Sequence, residues 1–167
     1  HRRNVGHRAV GAEISVGRET SERHTDNIWL GNIYGAKYVL SKGNVDHILS
    51  CITKDDLLSD DHREMFNDCP IERTHFDIED AQDVDLLEYF DRAADIINQC
   101  VEEGKIIYVH CFAGISRSPT MVMTYFIKHK GMDYGKTERY VGNRRPIISP
   151  NPRFKRDLKE WSKKYVK

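Results

Sequence analysis

The stretch "IIYVHCFAGISRSPT", residues 106–120, decides how this chain is read. Ile106, Ile107, Tyr108 and Val109 make a continuous apolar run, the pattern of a strand buried on both faces. The run ends in His110 and Cys111. Phe112, Ala113, Gly114, Ile115 and Ser116 follow, then Arg117, Ser118 and Pro119. Met121, Val122, Tyr125 and Phe126 recur at helical spacing beyond them, so Ser118 and Pro119 mark the start of a helix. Cys111 therefore stands at the carboxyl end of a buried strand, and residues 112–117 form a short loop into a helix.

That placement has a chemistry. Open α/β sheets hold ligands at the carboxyl ends of their strands. Successive backbone N–H groups in such a loop, with the helix N-terminus, make a pocket for an anion. Gly114 lets the backbone turn tightly against the ligand. The planar fork of Arg117 holds two phosphate oxygens at once. The same donors favour a thiolate. The stretch reads as a phosphate cradle with a nucleophile at its base, and attack of sulfur on phosphorus would give a phosphocysteine without any metal or other cofactor. Singly, each element is weak: cysteines at strand ends are usually packing, and Gly, Ser and Pro are ordinary turn residues. The full string His-Cys-x5-Arg-Ser behind an apolar strand is specific.

The rest of the chain supplies a frame. Apolar or alternating runs predict strands at 27–32, 45–52 and 71–78. Between Val84 and Glu103, Leu86, Leu87, Phe90, Ala93, Ala94, Ile97 and Val101 recur at intervals of three and four, a helix that Gly104 would end. Shorter helices are predicted near 34–42 and 134–143. A last one opens with Asn151 as cap and Pro152 in its first turn. Strands alternating with helices predict an α/β domain with a central, mostly parallel sheet flanked by helices. Residues 1–25 are polar and basic with little periodicity. They read as an arm that is flexible or docks late, or as a short helix that serves a partner or a second copy of the chain, leaving a homodimer open. Residues 26–167 read as one catalytic domain.

Composition bounds the function. The 167 residues, 39% hydrophobic, suit a single domain with a real core. Lys plus Arg balance Asp plus Glu at 26 each, so no global field favours nucleic acid or a membrane surface. The charge is uneven, acidic over 54–95 and basic over 128–167, which reads as two solvated faces or as a basic flank to an anionic substrate. The four cysteines, at 51, 69, 100 and 111, show neither C-x-x-C spacing nor a zinc-finger cluster. A reducing compartment, cytoplasmic or nuclear, is the expectation. No apolar run approaches a membrane span.

"VHCFAGISRS" resembles the signature loop of the cysteine-based protein tyrosine phosphatases, and "AGISRS" resembles its dual-specificity branch. "IWLGN", "FDIEDAQDVDLLEYF" and "RRPIISPNPRF" stand in the order usual for that family. The resemblance implies that Cys111 is the nucleophile and Arg117 the phosphate clamp. Ser118 would stabilise the departing thiolate, and His110 would support the loop and the thiolate. It also implies a phosphorylated protein as substrate, a mitogen-activated kinase among the candidates. The short chain lacks room for the loop that deepens the pocket of strictly tyrosine-specific relatives, so phosphotyrosine and phosphoserine or phosphothreonine are both expected.

The chemistry needs an acid to protonate the leaving oxygen. Asp77, Glu79, Asp80, Asp83 and Asp85 are candidates that composition does not separate. The resemblance selects Asp80, 31 positions before Cys111, with Asp83 second. By the same resemblance Cys51 is a candidate disulfide partner of Cys111 under oxidation, against a plain reading as a small core residue. Phe112 reads as pocket rim or packing. Arg144 and Arg145 read as contacts to a second phosphate or as solvated surface. Phosphatases of inositol lipids or RNA 5′ ends, a non-catalytic phosphopeptide-binding module and a rhodanese-like sulfurtransferase are the alternatives. No lysine lies within 112–116 as the lipid enzymes have, although the basic C-terminal third keeps RNA and anionic lipid open.

Overall fold

The computed structural model describes residues 11–14 and 27–166. Five strands, β1 (Gly11–Ile14), β2 (Ile28–Gly31), β3 (His47–Cys51), β4 (Glu72–Phe76) and β5 (Ile107–His110), form one sheet. Their order is β1-β2-β5-β3-β4. β2, β5, β3 and β4 run parallel, and β1 adds an antiparallel edge to β2. β5 and β3 are buried along their whole length, the polar His47, Ser50 and His110 included. The predicted α/β fold is the observed one.

The helices are α1 (Ile33–Lys42), α2 (Asp60–Glu64), α3 (Leu87–Glu102), α4 (Arg117–Lys130), α5 (Tyr134–Arg144) and α6 (Pro152–Ser162). α1 covers one face of the sheet, where Ala36 and Val39 join Ile48 and Tyr108 in a small core. The main core lies on the other face. There α4 is buried from Arg117 to Ile127, with α3, α5 and α6 packed around it. A helix so enclosed is a rigid platform, and its N-terminus is where the loop after β5 ends.

Two expectations need correction. The helix predicted from Val84 begins at Leu87, because the preceding residues form the acidic loop; it ends as expected before Gly104, at φ +70°. Residues 11–14 of the arm are a strand and not a helix: the outer edge of β2 offers a ladder of N–H and C=O groups that this segment pairs. The remainder of the arm, 1–10 and 15–25, lies outside the described residues, and so does any pairing of it with a second copy. Among the described residues no helix is long and apolar enough to cross a membrane.

Candidate active site

Cys111 follows directly on β5 and is 2% exposed. Its Sγ lies 3.2 Å from Ser118 Oγ, and the Gly114 N–H donates to it at 3.2 Å. The loop above the thiol is held from outside by its carbonyls. Phe112 O accepts from Ile33 N at 2.9 Å, and Ile115 O accepts from Ser149 N at 2.7 Å. Gly114 O and Ala113 O accept from Arg145 Nε and Nη2 at 2.9 and 3.3 Å. With these carbonyls turned outward the loop's N–H groups turn inward, the arrangement of an anion nest. Gly114 sits at φ +72°, and a Cβ there would stand 2.6 Å from Gly31 O. Only glycine fits both the left-handed turn and the neighbouring strand end.

His110, fully buried, sets the base of the loop. Its Nδ1 lies 3.0 Å from Cys111 O and so carries the hydrogen; its Nε2 then accepts from Ser50 Oγ at 2.7 Å. Ser50 Oγ in turn accepts from Arg73 Nε at 2.8 Å. Burial pushes the imidazole down to about 3, outweighing the hydrogen bond to the Cys111 carbonyl. His110 is therefore neutral, and it supports the loop through that carbonyl and not through a positive charge.

Arg117 is 6% exposed. Its Nη1 donates to Asp56 Oδ2 at 2.6 Å and to Ile78 O at 3.0 Å. Its Nε is buried with no partner. A guanidinium anchored by one nitrogen, with an unsatisfied N–H on another, presents an edge suited to an oxyanion.

Of the five acidic candidates, Asp80 is the one bonded to the cysteine loop. Its Oδ1 accepts from Ser116 Oγ at 2.8 Å and from Asn151 Nδ2 at 2.9 Å. Asp85 instead caps the start of α3, accepting from Leu87 N at 3.0 Å. Thiol, guanidinium and carboxylic acid thus converge on one loop, the minimum set for nucleophilic attack on a phosphate ester with protonation of its leaving group.

A family model described as dual specificity phosphatase, catalytic domain, matches residues 28–164. The chain belongs to this family. It is 34% identical over 138 residues to dual specificity protein phosphatase 1 of Arabidopsis thaliana, covering 81% of this chain and 66% of that one. It is 32% identical over 152 residues to dual specificity protein phosphatase 1B of the same organism, covering 90% of this chain and 86% of the relative. The crystal structure of DUSP15 superposes with a TM-score of 0.69 at 28% identity, covering 84% of this chain and 85% of that one. The domain is thus a cysteine-based dual-specificity protein phosphatase.

Within this phosphatase domain Arg145 departs from its expected place, while Phe112 and Cys51 take the packed positions that the sequence allows. Arg145 is 1% exposed beneath the loop, so it braces carbonyls and is not a surface contact to a second phosphate. Arg144 lies over the Tyr140 ring at 3.9 Å. Phe112 packs edge-on against Tyr34 and His62, each at 6.5 Å. Cys51 is fully buried at the end of β3, one step past the register pair Ser50 and His110. Burial first, and then neighbouring Cys111, push its thiol up. Asp56 was not among the expected site residues, and Asn151 was expected only as a helix cap. Nothing in the short-range pattern announces either contact, because both partners lie tens of residues away. Among the described residues no group of three or more His, Cys, Asp or Glu is placed to hold a metal ion.

Proposed function

We propose that the domain removes phosphate from phosphotyrosine and from phosphoserine or phosphothreonine through a phosphocysteine at Cys111. The observation that carries this reading is the buried, unpartnered Nε of Arg117 on the loop that encloses the Cys111 thiol. In the first step the thiolate attacks phosphorus. The S–P bond forms as the P–O bond to the side chain breaks, and Asp80 gives its proton to the leaving oxygen. The loop N–H groups and the Arg117 fork hold the three remaining oxygens. In the second step the Asp80 carboxylate takes a proton from water as the water oxygen attacks phosphorus. Phosphate leaves, and Ser118 Oγ, 3.2 Å from Sγ, stabilises the thiolate that is released. Every donor comes from the chain.

The substrate follows from the family: a phosphorylated protein, with a mitogen-activated kinase as a candidate. The four free cysteines support a reducing setting, cytoplasmic or nuclear. Cys51 is the proposed redox partner of Cys111. The test is release of phosphate from peptides carrying each phosphoresidue, from phosphoinositide vesicles and from 5′-triphosphorylated RNA. Turnover of both peptide types, lost in Cys111→Ser and in Arg117→Ala, supports the reading. Peptide binding without turnover would assign a binding module, and preference for lipid or RNA would reassign the substrate.

A further inference from the structure

Asn151 does more than begin a helix. Its Oδ1 accepts from Phe154 N at 3.0 Å, the cap of α6. The amide is planar, so with oxygen committed to the helix its nitrogen faces the other way, and Nδ2 donates to Asp80 Oδ1 at 2.9 Å. The backbone N–H of Asn151 donates to Ser116 Oγ at 2.9 Å. Ser116 Oγ is thereby fixed as acceptor from Asn151, and its own hydrogen goes to Asp80 Oδ1 at 2.8 Å. Two donors on Oδ1 leave no room there for a proton.

We propose that Asn151 and Ser116 are positioning residues for the acid: by occupying Oδ1 of Asp80 they place its transferable proton on Oδ2. The proposal rests on the reading of Asp80 as general acid. It links the cap of α6 to proton transfer, since the hydrogen bond that begins the helix also orients the amide that orients the acid.

Asn151→Asp separates the two roles. Aspartate caps a helix as well as asparagine. It removes the Nδ2 donor and sets a carboxylate oxygen beside Asp80. Asn151→Ser keeps a cap and simply deletes the donor. For both, the measurements are thermal unfolding and kcat across aryl phosphates of graded leaving-group acidity. The expected result is an unfolding temperature unchanged in Asn151→Ser and lowered in Asn151→Asp only by the new carboxylate repulsion, with a loss of kcat of about tenfold or more for phenyl phosphate in both. The loss shrinks towards none for strongly activated aryl phosphates, whose phenolates leave without a proton. In an Asp80→Asn background the Asn151 change adds less than about twofold, because the group it positions is gone. Equal loss across all leaving groups, additive loss in the double variant, no loss at all, or unfolding of both variants would each overturn the proposal. If Asp80→Asn itself leaves the leaving-group dependence unchanged, the reading of Asp80 fails. If Asp80→Asn steepens it while the Asn151 variants do not, only the positioning role fails.

Discussion

The Nη1 of Arg117 lies 2.6 Å from Oδ2 of Asp56, 61 residues earlier in the chain. The same carboxylate oxygen accepts from Thr53 N and Thr53 Oγ1 at 3.1 and 3.0 Å. Burial alone would raise the Asp56 carboxyl, but hydrogen bonds from Arg117 and Thr53, with the Arg117 charge, hold it below the usual range. The short turn at Lys54–Asp56 thus pins the clamp from its far edge.

Asp56→Ala should loosen the clamp and leave a buried cation without its counter-charge. A fully buried pair broken on one side costs about 3–5 kcal/mol. The Asp56 side chain is 30% exposed, so about 1–3 kcal/mol is expected in urea unfolding. Turnover of an aryl phosphate should fall about tenfold to a hundredfold in kcat/KM, as a fork that wanders loses pre-organisation. Unchanged kinetics would show that Arg117 is held well enough by Ile78 O.

Gly114→Ala meets two obstacles, a left-handed φ of +72° and the Gly31 carbonyl 2.6 Å from the new methyl. A loss of about 2 kcal/mol or more in stability, together with loss of turnover, is the expected outcome by denaturation and kinetics. Retained activity would mean that the loop has another conformation open to it.

Acid should weaken the fold through His110. Its native pKa is depressed from 6.5 to about 3, so the unfolded chain binds a proton that the native chain refuses between those values. Stability from this group is complete above 6.5 and is lost as pH falls towards 3. The slope is about 1.4 kcal/mol per pH unit for one proton. Urea unfolding between pH 6.5 and 4.5, above most carboxylate titrations, measures it. His110→Asn should be less stable at neutral pH and should show a flatter pH dependence. An equal slope in the variant would place the acid sensitivity elsewhere.

Peroxide should inactivate the domain reversibly. Oxidation of the Cys111 thiolate to sulfenic acid consumes one peroxide and releases hydroxide. Condensation with the buried Cys51 thiol then closes a disulfide and releases water, and a dithiol restores both cysteines. Cys51→Ser should recover far less activity after the same treatment, since sulfenic acid proceeds to sulfinic. Equal recovery, with no Cys51–Cys111 peptide in mass spectra, would leave Cys51 as packing.

Much of this fold is written locally. The buried strands and long helices show in the apolar period, and the Cys111–Ser118 loop shows in its string of residues. β1 is not legible because Gly-Ala-Glu-Ile carries little strand signal and pairs only because β2 leaves an edge free. α2 is five residues long, too short to establish a period. The supports of the site were legible least. Asp56, Asn151 and Arg145 act through contacts that span 31 to 71 residues of sequence, and each looks alone like a surface charge or a cap. The sequence shows the capping end of the Asn151 amide, and only the fold shows what the other end holds.

The mechanism turns on a covalent phosphocysteine at Cys111, on a thiol held by this loop. It is tested by mixing the domain with an aryl phosphate in the presence of a chelator, quenching in acid within the first turnover and mapping phosphate by mass spectrometry. A burst of phenolate matching the enzyme present and phosphate on Cys111, both abolished by Cys111→Ser, are the expected results. Turnover that survives the loss of Cys111, or phosphate found on another residue, would rule the phosphocysteine out.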